Sequence, residues 1–137
     1  MTTTAMPNFI LVSPEYERLP DLLLDEVEGF AATAEYTALS GDQRRVPEAV
    51  CAALMRLLLR LRRAEQAGRL GGRERAMLAD IIRAIDKLVS RPEVSVRNAL
   101  GSAMFETLTA AEDRGVLQEL MRRFGIRTRR ILDRWAA

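Results

Sequence analysis

The chain has no histidine and one cysteine, Cys51, in 137 residues. Without an imidazole it lacks the commonest general base, the commonest zinc ligand and the usual partner of a nucleophilic serine or cysteine. A lone thiol builds no internal disulfide framework, which points to a reducing compartment. Set among Ala49, Val50, Ala52 and Ala53, Cys51 reads as a buried structural thiol rather than a nucleophile. Glycines are scattered apart from Gly71-Gly72, and none forms a phosphate-cradling loop behind a strand. The longest apolar run, residues 52–61, is broken by Arg56 and Arg60, too short and too charged to span a membrane. Residues 1–7 show no basic segment followed by an apolar one, so no signal peptide is expected and the cytoplasm is the default location. Carboxylates such as Asp80 and Glu119 have nothing in the sequence to bring them together. These gaps argue against an enzyme, and no cofactor or metal is expected.

Lysine is also scarce, with one against 20 arginines. We read this as the coding bias of a GC-rich bacterial genome, not as selection for a ligand. What is present is ordinary for a folded protein: 48% apolar and 29% charged residues, enough for one domain with its own core. The charge is unevenly divided. Residues 1–43 hold eight acids against one base, a net of −7, and the other 94 residues hold 20 bases against 11 acids, a net of +9. The overall +2 hides two halves that suit a partner of complementary charge, or one another.

Residues 1–12 read as a flexible tail, and residues 13–137 as a single helical domain. No segment of that body alternates with period two, so no strands are expected. A helical turn near residues 14–18 precedes a first long helix over residues 20–36, with Pro20 suited to its first turn. Leu23, Val27, Phe30, Ala31 and Ala34 form its apolar stripe. After the Ser40-Gly41-Asp42 loop, with its capping chemistry, a second helix spans residues 47–66 and ends at Gly68. Val50, Leu54, Leu57, Leu58 and Leu61 face its core, and Arg56, Arg60 and Arg63 line its outside. Further helices are expected over residues 73–90, 93–109, 113–124 and 128–135, with Pro92 and Gly125 as punctuation and Gly125 as a left-handed cap. The expected class is therefore all-α: a compact bundle of five to six antiparallel helices, with a short HEAT-like right-handed superhelix as the other arrangement.

Three groups of residues are candidates for function. On a continuous first helix, Asp21, Asp25, Glu28 and Glu35 fall within about 80° of one another, an acidic ridge opposite the apolar stripe. Such a ridge suits docking on a cationic cleft, although any solvent-facing helix side is charged. Near the C-terminus, Arg122, Arg123, Arg127, Arg129, Arg130 and Arg134 cluster within 13 residues. They offer a basic patch for phosphates, a solvated helix face, or a surface that pairs with the acidic half inside the monomer. No DNA-binding motif or aromatic stacking group accompanies them. In the helix over residues 93–109 apolar residues surround most of the circumference, so it is expected to be central and buried. Asn98, Ser102 and Glu106 run along it as a polar row in need of partners.

The stretch Pro92-Glu93-Val94-Ser95-Val96-Arg97-Asn98-Ala99-Leu100, continuing through Met104-Phe105-Glu106-Thr107-Leu108, resembles small all-helical, HEAT-like bacterial immunity-type proteins of polymorphic or contact-dependent toxin systems. In those families an acidic-Val-x-Asn stretch leads into an aromatic-Glu-x-Leu helix. The ending Phe124-Gly125-Ile126-Arg127-Thr128-Arg129 is similar to their closing Leu-Gly-x-x-(Ser/Thr)-Arg turn, with Phe124 in place of the leucine. The resemblance covers about residues 75–135. It implies a non-enzymatic module that neutralises a cognate toxin or effector protein by binding it, with Asn98 and Glu106 in architectural roles. Many nuclease-neutralising members are strongly acidic overall and this chain is slightly basic. The resemblance therefore implies that only the first helix engages, or that the toxin is not a basic nuclease. The other readings are a nucleic-acid-associated regulator using the C-terminal arginines and a helical adaptor or structural domain; no membrane partner is expected.

Overall fold

Proline and glycine punctuate the chain where its helices start and stop. The computed structural model describes residues 14–91, 94–109 and 114–136; the expected tail over residues 1–12, and Pro92 and Glu93 of the resemblance, lie outside these. The class is all-α, with no strand among the described residues. In chain order the helices are α1 (Pro14–Glu17), α2 (Leu19–Glu26), α3 (Ala34–Thr37), α4 (Pro47–Gln66), α5 (Gly72–Val89), α6 (Val94–Thr109), α7 (Arg114–Met121) and α8 (Ile126–Ala136). Two 3-10 turns, Phe30–Ala32 and Gln43–Arg45, lie between α2 and α4.

The first long helix expected over residues 20–36 is not continuous. It ends at Glu26, and Gly29 takes a left-handed backbone with φ of 87°, a conformation glycine adopts without the Cβ clash that other residues incur. The chain then restarts at Thr33, whose hydroxyl accepts the Tyr36 N–H at 3.3 Å and donates to the Phe30 carbonyl at 2.7 Å, an N-cap that satisfies a donor left free by the first turn. Leu23, Val27 and Phe30 still reach the core, all fully buried. Ala31 and Ala34 do not, because the break turns them to solvent. Phe30 meets Tyr36 edge to face, with centroids 5.2 Å apart, a preferred aromatic geometry.

The 40–46 loop carries reciprocal capping: the Ser40 N–H donates to Gln43 Oε1 at 2.8 Å and the Gln43 N–H to Ser40 Oγ at 3.2 Å. Helix α4 runs over the expected span. It starts at Pro47, where no intrahelical donor is lost, and closes in a Schellman motif. There the Gly68 N–H bonds the Glu65 carbonyl at 3.0 Å and the Arg69 N–H bonds the Ala64 carbonyl at 2.9 Å, with Gly68 at φ of 70°.

Helix α4, not α6, is the centre of the molecule. It packs against α2, α3, α5, α6 and α7 and buries Val50, Cys51, Ala53, Leu54, Met55, Leu57, Leu58, Leu59 and Leu61. Glu48, Arg56, Arg60, Arg63 and Gln66 stay exposed. Burial pushes the Cys51 thiol up to about 12, with the nearby Glu48 charge acting in the same direction. Helix α6 buries Val96, Ala99, Leu100 and Ala103 against this core.

Polar contacts tie the periphery down. Tyr16 donates to the Glu48 carboxylate, pinning α1 to the start of α4; burial and the adjacent carboxylate push its phenol up to about 12. The Gly125 N–H and the Thr128 hydroxyl both donate to Asp86 Oδ1, at 2.9 and 2.6 Å. These bonds fasten the start of α8 to α5 and satisfy the buried Thr128. Gly125 is therefore not the left-handed cap expected of it: its φ is not positive. The helix before it stops at Met121, and the buried Phe124 sits in the following turn.

Candidate functional site

The acids of the N-terminal region divide into two sets once folded. Glu15 pairs with Arg91 at 2.9 Å, Glu26 with Lys87 at 2.5 Å, and Glu35 with Arg60 at 2.7 Å. The last contact is bidentate, with Arg60 Nε on Oε2 and Nη2 on Oε1 at 3.0 Å, a geometry suited to guanidinium and carboxylate. This hydrogen-bonded pair holds the Glu35 carboxyl below its ordinary range, against the opposing effect of burial. Glu17, Asp21, Asp25, Glu28 and Asp42 form the other set: all are exposed and enter no ion pair among the described residues. The expected four-residue ridge is thus reduced to three, because Glu35 sits on α3 beyond the Gly29 break with a side chain only 12% exposed.

Glu28 also edges a cleft of about 570 Å³ between the 29–33 turn and α5, with Ala32, Ala76 and Met77 as its apolar wall and Arg73 and Asp80 on its rim.

The bases that neutralise the N-terminal acids come from α4 and the end of α5, not from the C-terminal cluster. Among the clustered arginines, Arg123 pairs with Glu65 at 2.7 Å, which lowers that carboxyl chiefly through the hydrogen bond. Glu65 also receives Arg62 at 2.8 Å, and Arg62 in turn pairs with Glu119. Arg127 donates to the Ser90 carbonyl at 3.3 Å. Arg122, Arg129 and Arg130 remain exposed and outside any ion pair among the described residues. The side chain of Arg134 lies outside what is described.

The polar row of α6 is not buried. Asn98 and Glu106 are exposed and Ser102 is half-buried, because α6 presents that side away from α4. A carboxylate there keeps much of its hydration and avoids the cost of full burial. Asp80 and Glu119 do not meet: the first binds Arg83 and the second Arg62.

The structure adds Glu35 and Arg69 to the three arginines expected on the outside of α4. Arg56, Arg60 and Arg63 of α4 share a cleft of about 550 Å³ with Glu35 and Arg69. The first three lie on one helix face by their spacing. Arg69 joins them because the Gly68 turn reverses the chain, and the sequence signal for it was the glycine that ends α4. Comparison of the chain with known protein families, curated proteins and solved structures gives no match.

Proposed function

We propose that this chain is a non-enzymatic protein-binding module, an immunity-type protein that occupies a cognate bacterial toxin or effector in the cytoplasm. The contact surface is the α2 face bearing Asp21 and Asp25, continued by Glu28. The supporting observation is selective pairing: Glu15, Glu26 and Glu35 are neutralised inside the fold while these three acids are left facing solvent. A concentrated, unneutralised charge accelerates encounter with a basic partner and penalises wrong ones. Tight occlusion needs about 800 Å² from each side around a few anchors. The neighbouring cleft walled by Ala32, Ala76 and Met77 suits the stem of a long cationic side chain with its head on Glu28.

The test uses the cognate toxin domain, to be sought at the C-terminus of any large secreted protein encoded by a neighbouring gene. With Asp21→Lys and Asp25→Lys together, its association rate should fall about tenfold at low ionic strength and lose most of its salt dependence. An unchanged rate would remove the steering role of this face. A second reading, a nucleic-acid-associated regulator, is favoured by the exposed Arg122, Arg129 and Arg130. Oligonucleotide retention on filters at two salt concentrations decides it, since phosphate binding must weaken steeply with salt.

A further inference from the structure

The arginine cleft beside α4 is separate from the face used above. It is built by three devices. The spacing of Arg56, Arg60 and Arg63 puts them on one exposed side of α4. The Schellman turn at Gly68 returns the chain so that Arg69 faces the same space. Glu35 then grips Arg60 through two hydrogen bonds at 2.7 and 3.0 Å, and Glu74 lies 4.0 Å from Arg60 Nη1. That pairing fixes the direction of one guanidinium but consumes only one of the positive charges. The lining also carries Arg56, Arg63 and Arg69, with Glu35 as its one acid. Arg56 and Arg69 are exposed and enter no ion pair among the described residues. Ala64 and the nearly buried Leu59 complete the lining.

From this we infer that the cleft is a binding site for a small phosphorylated molecule carrying at least two phosphate groups. Guanidinium forks match phosphate oxygens in pairs, and two spare arginines beside a third held in place supply that geometry. A concave space of about 550 Å³ lies within the range of small-molecule sites. Glu35 has a double role here: it orients Arg60 and competes with the ligand for it. No covalent step is involved.

The inference is tested by calorimetric titration of the full chain with inorganic pyrophosphate and with ADP at moderate salt. Saturable binding is expected for both. Arg56→Gln and Arg69→Gln are solvent-exposed changes that leave the core intact, and each should weaken binding about tenfold through loss of a charge-assisted contact. Glu35→Gln should tighten it, because the competing carboxylate is gone. The paired change Arg18→Gln with Arg45→Gln, both exposed, removes equal charge elsewhere and should leave the affinity unaltered. No saturation with pyrophosphate in the millimolar range overturns the site, as does equal weakening in the Arg18/Arg45 control. A single-stranded oligonucleotide that displaces pyrophosphate at lower concentration also overturns it, in favour of a nucleic-acid surface.

Discussion

Replacing Gly29 by alanine gives a result whose sign depends on the backbone at that residue. In the folded chain Gly29 has φ of 87°, and an L-residue there costs about 1–2 kcal/mol. An added Cβ would also stand 3.0 Å from the Met77 terminal methyl, a contact that a flexible side-chain end relieves at small cost. Against this, alanine restricts the unfolded chain and returns about 0.4–1 kcal/mol. The net expectation is a loss of about 1 kcal/mol. Were residues 20–36 one unbroken helix, as their apolar spacing suggests, the same change would instead stabilise by about 1 kcal/mol, the difference between glycine and alanine in a helix interior. Two other glycines separate the contributions. Gly68 has φ of 70° and open space around its missing Cβ, so Gly68→Ala isolates the backbone cost. Gly41 has no positive φ and nothing within 4 Å, so Gly41→Ala should be neutral or slightly stabilising. Urea denaturation monitored by circular dichroism reads all three as midpoint shifts at constant slope. A Gly29→Ala protein as stable as the parent, or more stable, would refute the left-handed break and restore the continuous acidic ridge.

Two further outcomes follow from titratable groups. Cys51 is buried with its thiol pushed up to about 12, so the native protein should resist Ellman's reagent at mildly alkaline pH and react once urea unfolds it. Rapid modification of the folded chain would contradict the packing around α4. Glu35 and Glu65 are held below the ordinary carboxylate value of 4.5 by Arg60 and Arg123. Their contribution is therefore complete above that pH and disappears as pH falls through and below it. Urea midpoints measured from neutral pH to pH 3 should decline less steeply in the Glu35→Gln, Glu65→Gln double variant than in the parent. An identical decline would show that the two pairs do not contribute to acid sensitivity.

Much of the helical framework was legible because it is marked locally. Pro47 opens α4 and Gly68 closes it, and the apolar positions between them follow the 3.6-residue period, so its expected and observed bounds coincide. The break in the first helix leaves no mark on the apolar period, which survives across it. Leu23, Val27 and Phe30 reach the core by a helix and a turn as well as they would by one long helix. The signals that mark the break are Gly29 in mid-pattern and Thr33 standing as an N-cap before α3. Helix α6 is unmarked for another reason. Its apolar residues are spread round the axis, so no face is preferred by pattern. Only the packing of α4 beneath it decides that Asn98 and Glu106 point outward.

The charge division shows where composition stops being informative. Glu28 and Glu35 are the same residue type, seven positions apart in the same acidic stretch, yet one faces solvent and the other is locked to Arg60. The distinction comes from the Gly29 turn, which carries Glu35 away from α2 and onto the arginine side of α4. A charge that is satisfied within the fold orients its neighbour and contributes little to a distant encounter; a charge left unpaired projects its field into solvent. The fold therefore converts one acidic half and one basic half into localised surpluses: Asp21, Asp25 and Glu28 on one side, and Arg56 with Arg69 in the cleft. Because these surpluses are opposite in sign and do not contact each other, a charge change in one should leave the binding behaviour of the other intact.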